Sequence, residues 1–285
     1  MLLHDSSARE VAEQKFKKGG VVLKRKYRWM GLNILELHFH KNITQFLQDQ
    51  DLSNIDVIVF YQVTENYQNK LNDFATLQFD LKLDEDEIFR NIRSKNTRNE
   101  IRKNIRDDGI DYLLVENLSN NDIDNFIHDL NWFMKEKNKD TNIGFIKNQI
   151  KSFVGNIVLT HAIKDDITLA SHLYLFDNER VRYTLGISYR HKGIDPSLVG
   201  RSNRGLHWFD IKLFKKRNFK IYDFGGIALN SNSADEKNIK KFKESFTRNT
   251  VHEYQGNIGL SIKGKLALSL HNLKKKISNG RTSQR

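Results

Sequence analysis

Nine residues, Phe219-Lys220-Ile221-Tyr222-Asp223-Phe224-Gly225-Gly226-Ile227, constrain this chain more than any other stretch. Two consecutive glycines after an apolar strand let the backbone reach φ > 0 or let another group approach closely, a freedom that is costly unless used. Before the strand lies an amphipathic basic run over 205–217. After it, an Asn/Ser-rich loop leads to a helical segment carrying Phe242-Lys243-Glu244-Ser245-Phe246. The order predicts helix, buried strand, glycine turn, loop and helix, which is how many α/β enzymes place chemistry at the carboxyl end of a strand.

At 285 residues and 38% hydrophobic content, the chain suffices for one large domain or two modest ones. Lys and Arg number 47 against 35 Asp and Glu, a formal +12. That excess favours an anionic partner such as RNA, a pyrophosphate or an acidic membrane surface. There is no cysteine, hence no disulfide framework and no thiol chemistry. The first residues lack a secretory pattern and no apolar run is long enough to span a bilayer, so the expectation is a cytoplasmic protein without a transmembrane segment. A single proline and the scarcity of Gly/Pro/Ser runs predict that any two domains share a packed interface.

Along the chain, 1–20 reads as a short helix and turn, and 21–27 and 32–40 read as strands. The second strand puts Leu35, Leu37 and Phe39 on one face and Glu36, His38 and His40 on the other. Alternating strand histidines usually mark a solvated face, and no third ligand stands at helical spacing to them, so no metal is expected. A helix over 43–50 and strands over 57–63 and 76–81 follow. The charged stretch 84–106 predicts one long helix, acidic at its start and basic toward its end, as the helix dipole favours. Its cations, Arg98 and Arg102 among them, suit either a solvated face or an anion-binding role.

After a strand over 110–115, residues 120–137 and 144–153 read as helices. Strands over 157–164, 167–176 and 180–189, with Asp177-Asn178-Glu179 as a hairpin turn, predict an antiparallel meander. Gly186 inside the third strand implies a bulge or a close approach. A basic loop over 190–204 precedes the helix over 205–217. A strand over 252–262 and a basic helix over 265–277, with Leu266, Leu270, Leu273 and Ile277 on one side, end the reading, and residues from 278 are expected to fray.

Taken in order, Lys95-x-x-Arg98-x-x-Ile101-Arg102-Lys103, Leu206-His207-Trp208-x-x-Ile211, Tyr222-Asp223-Phe224-Gly225-Gly226-Ile227, Phe242-Lys243-x-x-Phe246 and Tyr254-x-Gly256 resemble the Fem family of peptidyl and aminoacyl transferases over about residues 76–260. The resemblance implies an α+β fold of two GNAT-like (acyl-CoA N-acyltransferase) subdomains packed together, with mixed central sheets flanked by helices. An abbreviated N-terminal subdomain is expected over 1–118 and a C-terminal one carrying the donor cleft over 119–285. It also implies transfer of an aminoacyl or acyl group to an amine on a cell-wall or surface-polysaccharide precursor. No cofactor would be bound permanently; the co-substrate would be aminoacyl-tRNA or acyl-CoA, and the acceptor a nucleotide- or lipid-linked sugar, with tRNA and peripheral membrane contact as further expectations.

By the same resemblance, 183–188 and 221–224 are the splayed walls of the donor cleft. Tyr183, Gly186, Ser188, Tyr222, Phe224, Gly225 and Phe242 would line it. Aminolysis of an ester or thioester needs a neutral amine, a donor for the oxyanion and a route for the departing proton, but no metal. Lys243 is the candidate for stabilising the oxyanion. Asp223 would hold the amine or accept its proton, or else cap the Gly225-Gly226 turn. Tyr222 and Phe224 also suit plain core packing.

Arg190, Arg201 and Arg204, in or beside the loop, are candidates for phosphate binding at the start of the following helix. Arg190-His191-Lys192-Gly193 echoes a coenzyme A loop only partly, because Asp195 stands where a small residue belongs and its charge would repel phosphate. Two other functions compete with the tRNA-dependent transferase: a coenzyme A-dependent N-acyltransferase acting on an amino sugar or nucleotide sugar, and a non-catalytic RNA-binding protein. The second would leave the Tyr222-to-Lys243 constellation without a use.

Overall fold

Among the described residues, ten stretches that alternate apolar and polar residues, or are apolar throughout, become strands. The computed structural model describes residues 23–190, 193–231 and 233–282, with side chains as far as residue 273. The elements run β1 (Leu23–Trp29), β2 (Leu32–His38), α1 (Ile43–Asp49), β3 (Val57–Val63), β4 (Asn72–Asp80), α2 (Glu85–Asn91), α3 (Lys95–Asp107), β5 (Asp111–Val115), α4 (Asn120–Glu136) and α5 (Ile143–Ser152). They continue with β6 (Ile157–Lys164), β7 (Ile167–Phe176), β8 (Arg180–Ser188), α6 (Pro196–Lys216), β9 (Ile221–Ile227), α7 (Ala234–Glu244), β10 (Thr250–Gly259) and α8 (Ile262–Thr282).

The strands form one mixed sheet in the order β1-β2-β3-β10-β4-β9-β8-β7-β6-β5. The expected α+β class holds, but one continuous sheet stands where separate sheets were expected. β10 inserts between β3 and β4, and β5 pairs with β6. The two halves of the chain are therefore interleaved. The meander β6-β7-β8 is antiparallel as expected, and the Asp177 carboxylate accepts from the amides of Glu179 and Arg180 in its turn.

Alternate residues of β7 enter two cores on opposite faces. Tyr174 and Phe176 join Phe79, Trp208, Phe214, Tyr222 and Phe224 under α6, while Leu173 and Leu175 join Phe126, Leu130, Ile150 and Phe153 under α4 and α5. A capping box starts α4: Ser119 and Asp122 each bond the other's backbone amide.

Four local expectations give way. The helix over 84–106 breaks between α2 and α3, because the Ser94 side chain accepts from the Thr97 amide and restarts the helix. The helix expected from 205 begins at Pro196, with Asp195 as its N-cap and proline at the first turn, where the missing N–H costs nothing. The glycines 225 and 226 do not end a strand; they lie within β9. Glu36 and His38, expected in solvent, are 0% and 4% exposed. Arg25 and Gln149 both donate to the Glu36 carboxylate, and the His38 ring packs on Tyr61 and Phe153.

At the carboxyl end, β10 covers 250–259 and α8 continues to Thr282, past the position where fraying was expected. The helix and turn expected over 1–20 lie outside the described residues.

Candidate active site

β8 and β9 are parallel and pair only at their beginnings, Arg180 with Ile221, Val181 with Tyr222 and Arg182 with Asp223. From there β8 stays beside β7 and β9 stays beside β4. A gap therefore opens in the sheet between the two walls expected from the sequence.

A bulge shapes the β9 wall. Asp223 faces Gln78 and Gly226 faces Thr76, so two residues of β9 oppose one of β4. Gly225 has φ +73°, and a Cβ there would stand 2.8 Å from the Tyr183 carbonyl oxygen. Only glycine fits that conformation so close to the opposite wall. Gly186 is occupied in another way: a Cβ would strike the Tyr183 hydroxyl, so the Tyr183 ring lies across it.

α7 brings Lys243 to this gap. Its Nζ donates to the Gly226 carbonyl at 2.8 Å, and the residue is 9% exposed. Burial first and then the Arg182 charge, opposed by Asp223, bring the ammonium down to about 8. Phe242, next to it, packs against His207 and Phe246.

Asp223 is completely buried and its oxygens are engaged. Oδ1 accepts from Thr76 Oγ1 and the Gly225 amide, and Oδ2 accepts from Gln62 and Gln78 at 2.9 and 3.2 Å. Of the two readings open for Asp223, the geometry favours the cap: it holds the bulge in shape. Gln62 also donates to Glu253, which forms a two-pronged pair with Arg180.

A second buried network lies under α6. Tyr174 donates to Asp210 at 2.6 Å, leaving its oxygen to accept from Tyr222 at 2.8 Å; Tyr222 in turn accepts from His207 Nδ1 at 2.7 Å. That chain leaves His207 Nε2 as a lone pair, buried and without a partner. Burial, then His172 and Lys243, keep His207 well below the ordinary histidine range. His172, His207 and Asp210 bring ligand-type atoms within 4.8 Å of one another. Both ring nitrogens of His172 are nevertheless bonded, to Asp210 and Asn203, and Tyr222 takes Nδ1 of His207. The trio reads as a hydrogen-bonded core.

The expected anion-binding arginines are not brought together. Arg98 clamps the α2–α3 break through the Ile92 carbonyl. Arg102 lies over the Phe89 ring at 4.9 Å. Arg201 forms a two-pronged pair with Asp108 at 2.8 and 2.9 Å, and Arg204 pairs with Glu100 at 2.8 Å. These two are inside α6, not in a loop, and tie it to the α3 region. Arg190 is exposed after β8, and His191 and Lys192 lie outside the described residues. The start of α6 already holds the carboxylate of Asp195, which accepts from the Ser197 amide. A phosphate would meet that charge in the place where a helix N-terminus otherwise attracts anions.

Arg182, His207 and Gln62 are the site-forming residues that the sequence did not single out for chemistry. His207 stood in a recognised motif; Arg182 and Gln62 carried no such signal. Tyr222 and Phe224 are fully buried, while Ser188, at the far end of its wall, is partly exposed.

No protein-family model matches the chain, and no curated protein matches it by sequence. By structure the chain is similar to the crystal structure of FemX, with a TM-score of 0.58 at 11% identity over 83% of this chain and 82% of that one. It is also similar to the C-terminal domain of a protein from Agrobacterium fabrum assigned as a lysylphosphatidylglycerol synthetase, with a TM-score of 0.50 at 12% identity over 86% and 87% of the two chains. The likeness bears out the Fem-like GNAT fold expected from the motifs.

Proposed function

We propose that the protein is an acyltransferase that moves an aminoacyl or acyl group onto an amine by direct aminolysis in the gap between β8 and β9. The observation that carries this reading is Lys243, a buried ammonium bonded to the β9 wall of the sheet splay beside Gly225, the residue that lets that wall pass close to Tyr183 of β8. In that place the cation meets the oxygen on which charge develops as the amine attacks, and an electrostatic donor preorganised in a site closed to water favours the transition state over the ground state. Asp223 shapes the bulge that presents Gly226 to Lys243. The attack forms the new C–N bond and breaks the donor's acyl C–O or C–S bond; we assign the unbonded His207 Nε2 to take the amine's departing proton and return it to the leaving oxygen or sulfur.

Aminoacyl-tRNA suits the donor role better than acyl-CoA, because Asp195 occupies the start of α6 and the chain carries a formal +12. The similarity to FemX and to a lysylphosphatidylglycerol synthetase domain supports a cell-wall or lipid-linked acceptor. The division at residue 118 into an N-terminal and a C-terminal GNAT-like subdomain belongs to this proposal, with β5 and β10 exchanged across it.

A second surface bears on the acceptor. No helix among the described residues is long and apolar enough to cross a membrane. α8 packs inward through Ala267 and Leu268, yet Ile262, Leu266, Leu270 and Leu273 are between 56% and 79% exposed on its outer side. Lys263 and Lys265 flank that stripe, and Lys263 bonds the Gly31 carbonyl beside the exposed Trp29 and Met30. An apolar stripe edged by lysines fits the surface of an anionic membrane.

The deciding experiment incubates the purified protein with radiolabelled aminoacyl-tRNA or acetyl-coenzyme A and candidate amine acceptors. Label transferred from charged tRNA and lost in Lys243→Met supports the proposal. Transfer from acetyl-coenzyme A alone replaces the donor, and RNA binding without transfer from either donor replaces the enzyme with a binding protein.

A further inference from the structure

On the face of the sheet opposite α6, a cavity of about 220 Å³ lies between β2 and β3 on one side and α5 and β8 on the other. Its polar lining is His38, Tyr61, Gln149, Arg182, Thr184 and Gln255, set against an apolar wall that includes Ile146, Phe153 and Leu173. Arg182 also borders the β8/β9 gap: a Cβ on Gly225 would lie 3.6 Å from its Nε and 3.8 Å from Lys243 Nζ. The cavity therefore reaches the candidate active site from behind.

Two of its polar atoms are buried and unbonded, Arg182 Nε and His38 Nδ1. The guanidinium of Arg182 has no hydrogen bond or ion pair among the described residues. The two carboxylates that act on its charge are taken, Asp223 by Thr76, Gln62, Gln78 and the Gly225 amide, Glu253 by Arg180 and Gln62. Arg182 as a residue is only half-buried, but its Nε is shut off from water with no partner, and such a group is costly to keep unless a ligand completes it. His38 faces the opposite task. Its Nε2 donates to Glu36 at 2.7 Å, and Arg25 anchors that carboxylate, so Nδ1 is left as a hydrogen-bond acceptor. Burial lowers His38 more than Glu36 raises it, which keeps the ring neutral. Burial also pushes the Tyr61 hydroxyl up to about 12, so it remains a proton donor.

We infer that this cavity binds a small α-carboxylate with an apolar side chain and an adjacent N–H, as presented by a peptide carboxyl terminus or a free amino acid. Arg182 takes the carboxylate, with Tyr61 as a further donor. His38 Nδ1 accepts the N–H, and Ile146, Phe153 and Leu173 cover the side chain. The inference concerns binding alone and stands or falls apart from acyl transfer; if both hold, the ligand is the acceptor's end of the reaction.

The test uses the full chain without any acyl donor and titrates it with N-acetyl-alanine of either hand, N-acetyl-alanine amide and free alanine. Calorimetry and the His38 ring-nitrogen signals in two-dimensional NMR are the readouts. The acid is expected to bind with a dissociation constant below about 10 mM and at least about tenfold more tightly than the amide, a difference of ~1.4 kcal/mol. Binding should move the His38 Nδ1 signal, and Arg182→Gln should erase the preference for acid over amide. Preference for N-acetyl-alanine over free alanine identifies a peptide terminus, and the reverse identifies a free amino acid. Equal binding of acid and amide, or no binding of any probe at about 10 mM, overturns the inference without help from a variant. Failure of label transfer with intact acid binding would instead count against the transferase reading only.

Discussion

Lys243 Nζ donates to the carbonyl of Gly226 at 2.8 Å, joining the helix after the sheet splay to the strand that forms one of its walls. The contact fixes an ammonium where the sheet is open. It also holds a charge out of water, which folding alone would not favour.

Replacing Lys243 by methionine should therefore separate activity from stability. Transfer is expected to fall by about 10²-fold or more, the usual cost of removing a donor to a developing oxyanion. The midpoint of thermal unfolding should stay level or rise by a few degrees, because the uncharged side chain keeps the packing and relieves the burial of charge. Single-turnover transfer and thermal denaturation measured on one preparation check both halves. A clearly lowered midpoint with proportionate loss of activity would make Lys243 a structural residue.

The same depressed value fixes two pH dependences of opposite direction. The cation is present below about pH 8, so transfer that depends on it should decline as pH rises through that value. Stability runs the other way. Between about 8 and the ordinary lysine range the unfolded chain holds a proton that the folded one has released, so this group makes unfolding harder as pH rises. Rate and denaturant-midpoint profiles of the natural protein and Lys243→Met should differ in that window, and coincident profiles would refute the assignment.

Asp223 should behave as a structural residue. Asp223→Ala leaves Thr76, Gln62, Gln78 and the Gly225 amide without their common acceptor, and buried donors left unbonded cost about 1–3 kcal/mol each before relaxation. The expected loss is about 3 kcal/mol or more in urea unfolding. Residual activity below the turnover pH should follow the folded fraction, and the pH at which the rate turns over should move down, because the Asp223 charge holds the Lys243 ammonium up. A fully stable Asp223→Ala that has lost transfer would restore Asp223 as a proton acceptor.

Much of the fold was legible because local patterns decided it. The meander needed only alternation and the Asp177 turn, and the β8 and β9 walls could be placed from the residues between 183 and 227 together with the family resemblance. Errors arose where one side chain outweighs a periodic pattern. Ser94 interrupts a charged stretch that reads as one helix, and Asp195-Pro196 starts α6 nine residues before the apolar spacing becomes clear. Burial from distant parts of the chain was harder still. Glu36 and His38 look solvated in their own strand because Gln149, which donates to Glu36, and Phe153, which packs on the His38 ring, lie more than a hundred positions away. The arginines show the same limit: Arg201 and Arg204 read as free cations until Asp108 and Glu100 are brought opposite them.

The outer side of α8 gives the last prediction. Ile262, Leu266, Leu270 and Leu273 face outward while Ala267 and Leu268 face the sheet, so polar replacements on the stripe leave the core intact. The triple change Leu266→Ser, Leu270→Ser and Leu273→Ser should lower stability little, since exposed apolar side chains contribute little to folding. It should reduce co-sedimentation with vesicles containing phosphatidylglycerol by about tenfold or more, because each buried methylene contributes ~0.8 kcal/mol to membrane partitioning. Replacing Lys263 and Lys265 by glutamine should instead weaken binding to those vesicles and shrink the gain in binding that the natural protein shows as salt is lowered, leaving binding to neutral phosphatidylcholine vesicles unchanged. Equal sedimentation of the natural protein with neutral and anionic vesicles would leave the stripe and remove the part assigned to the lysines. If the natural protein sediments with neither kind of vesicle, the stripe is not a membrane contact. A lipid-linked acceptor would then have to reach the β8/β9 gap from solution.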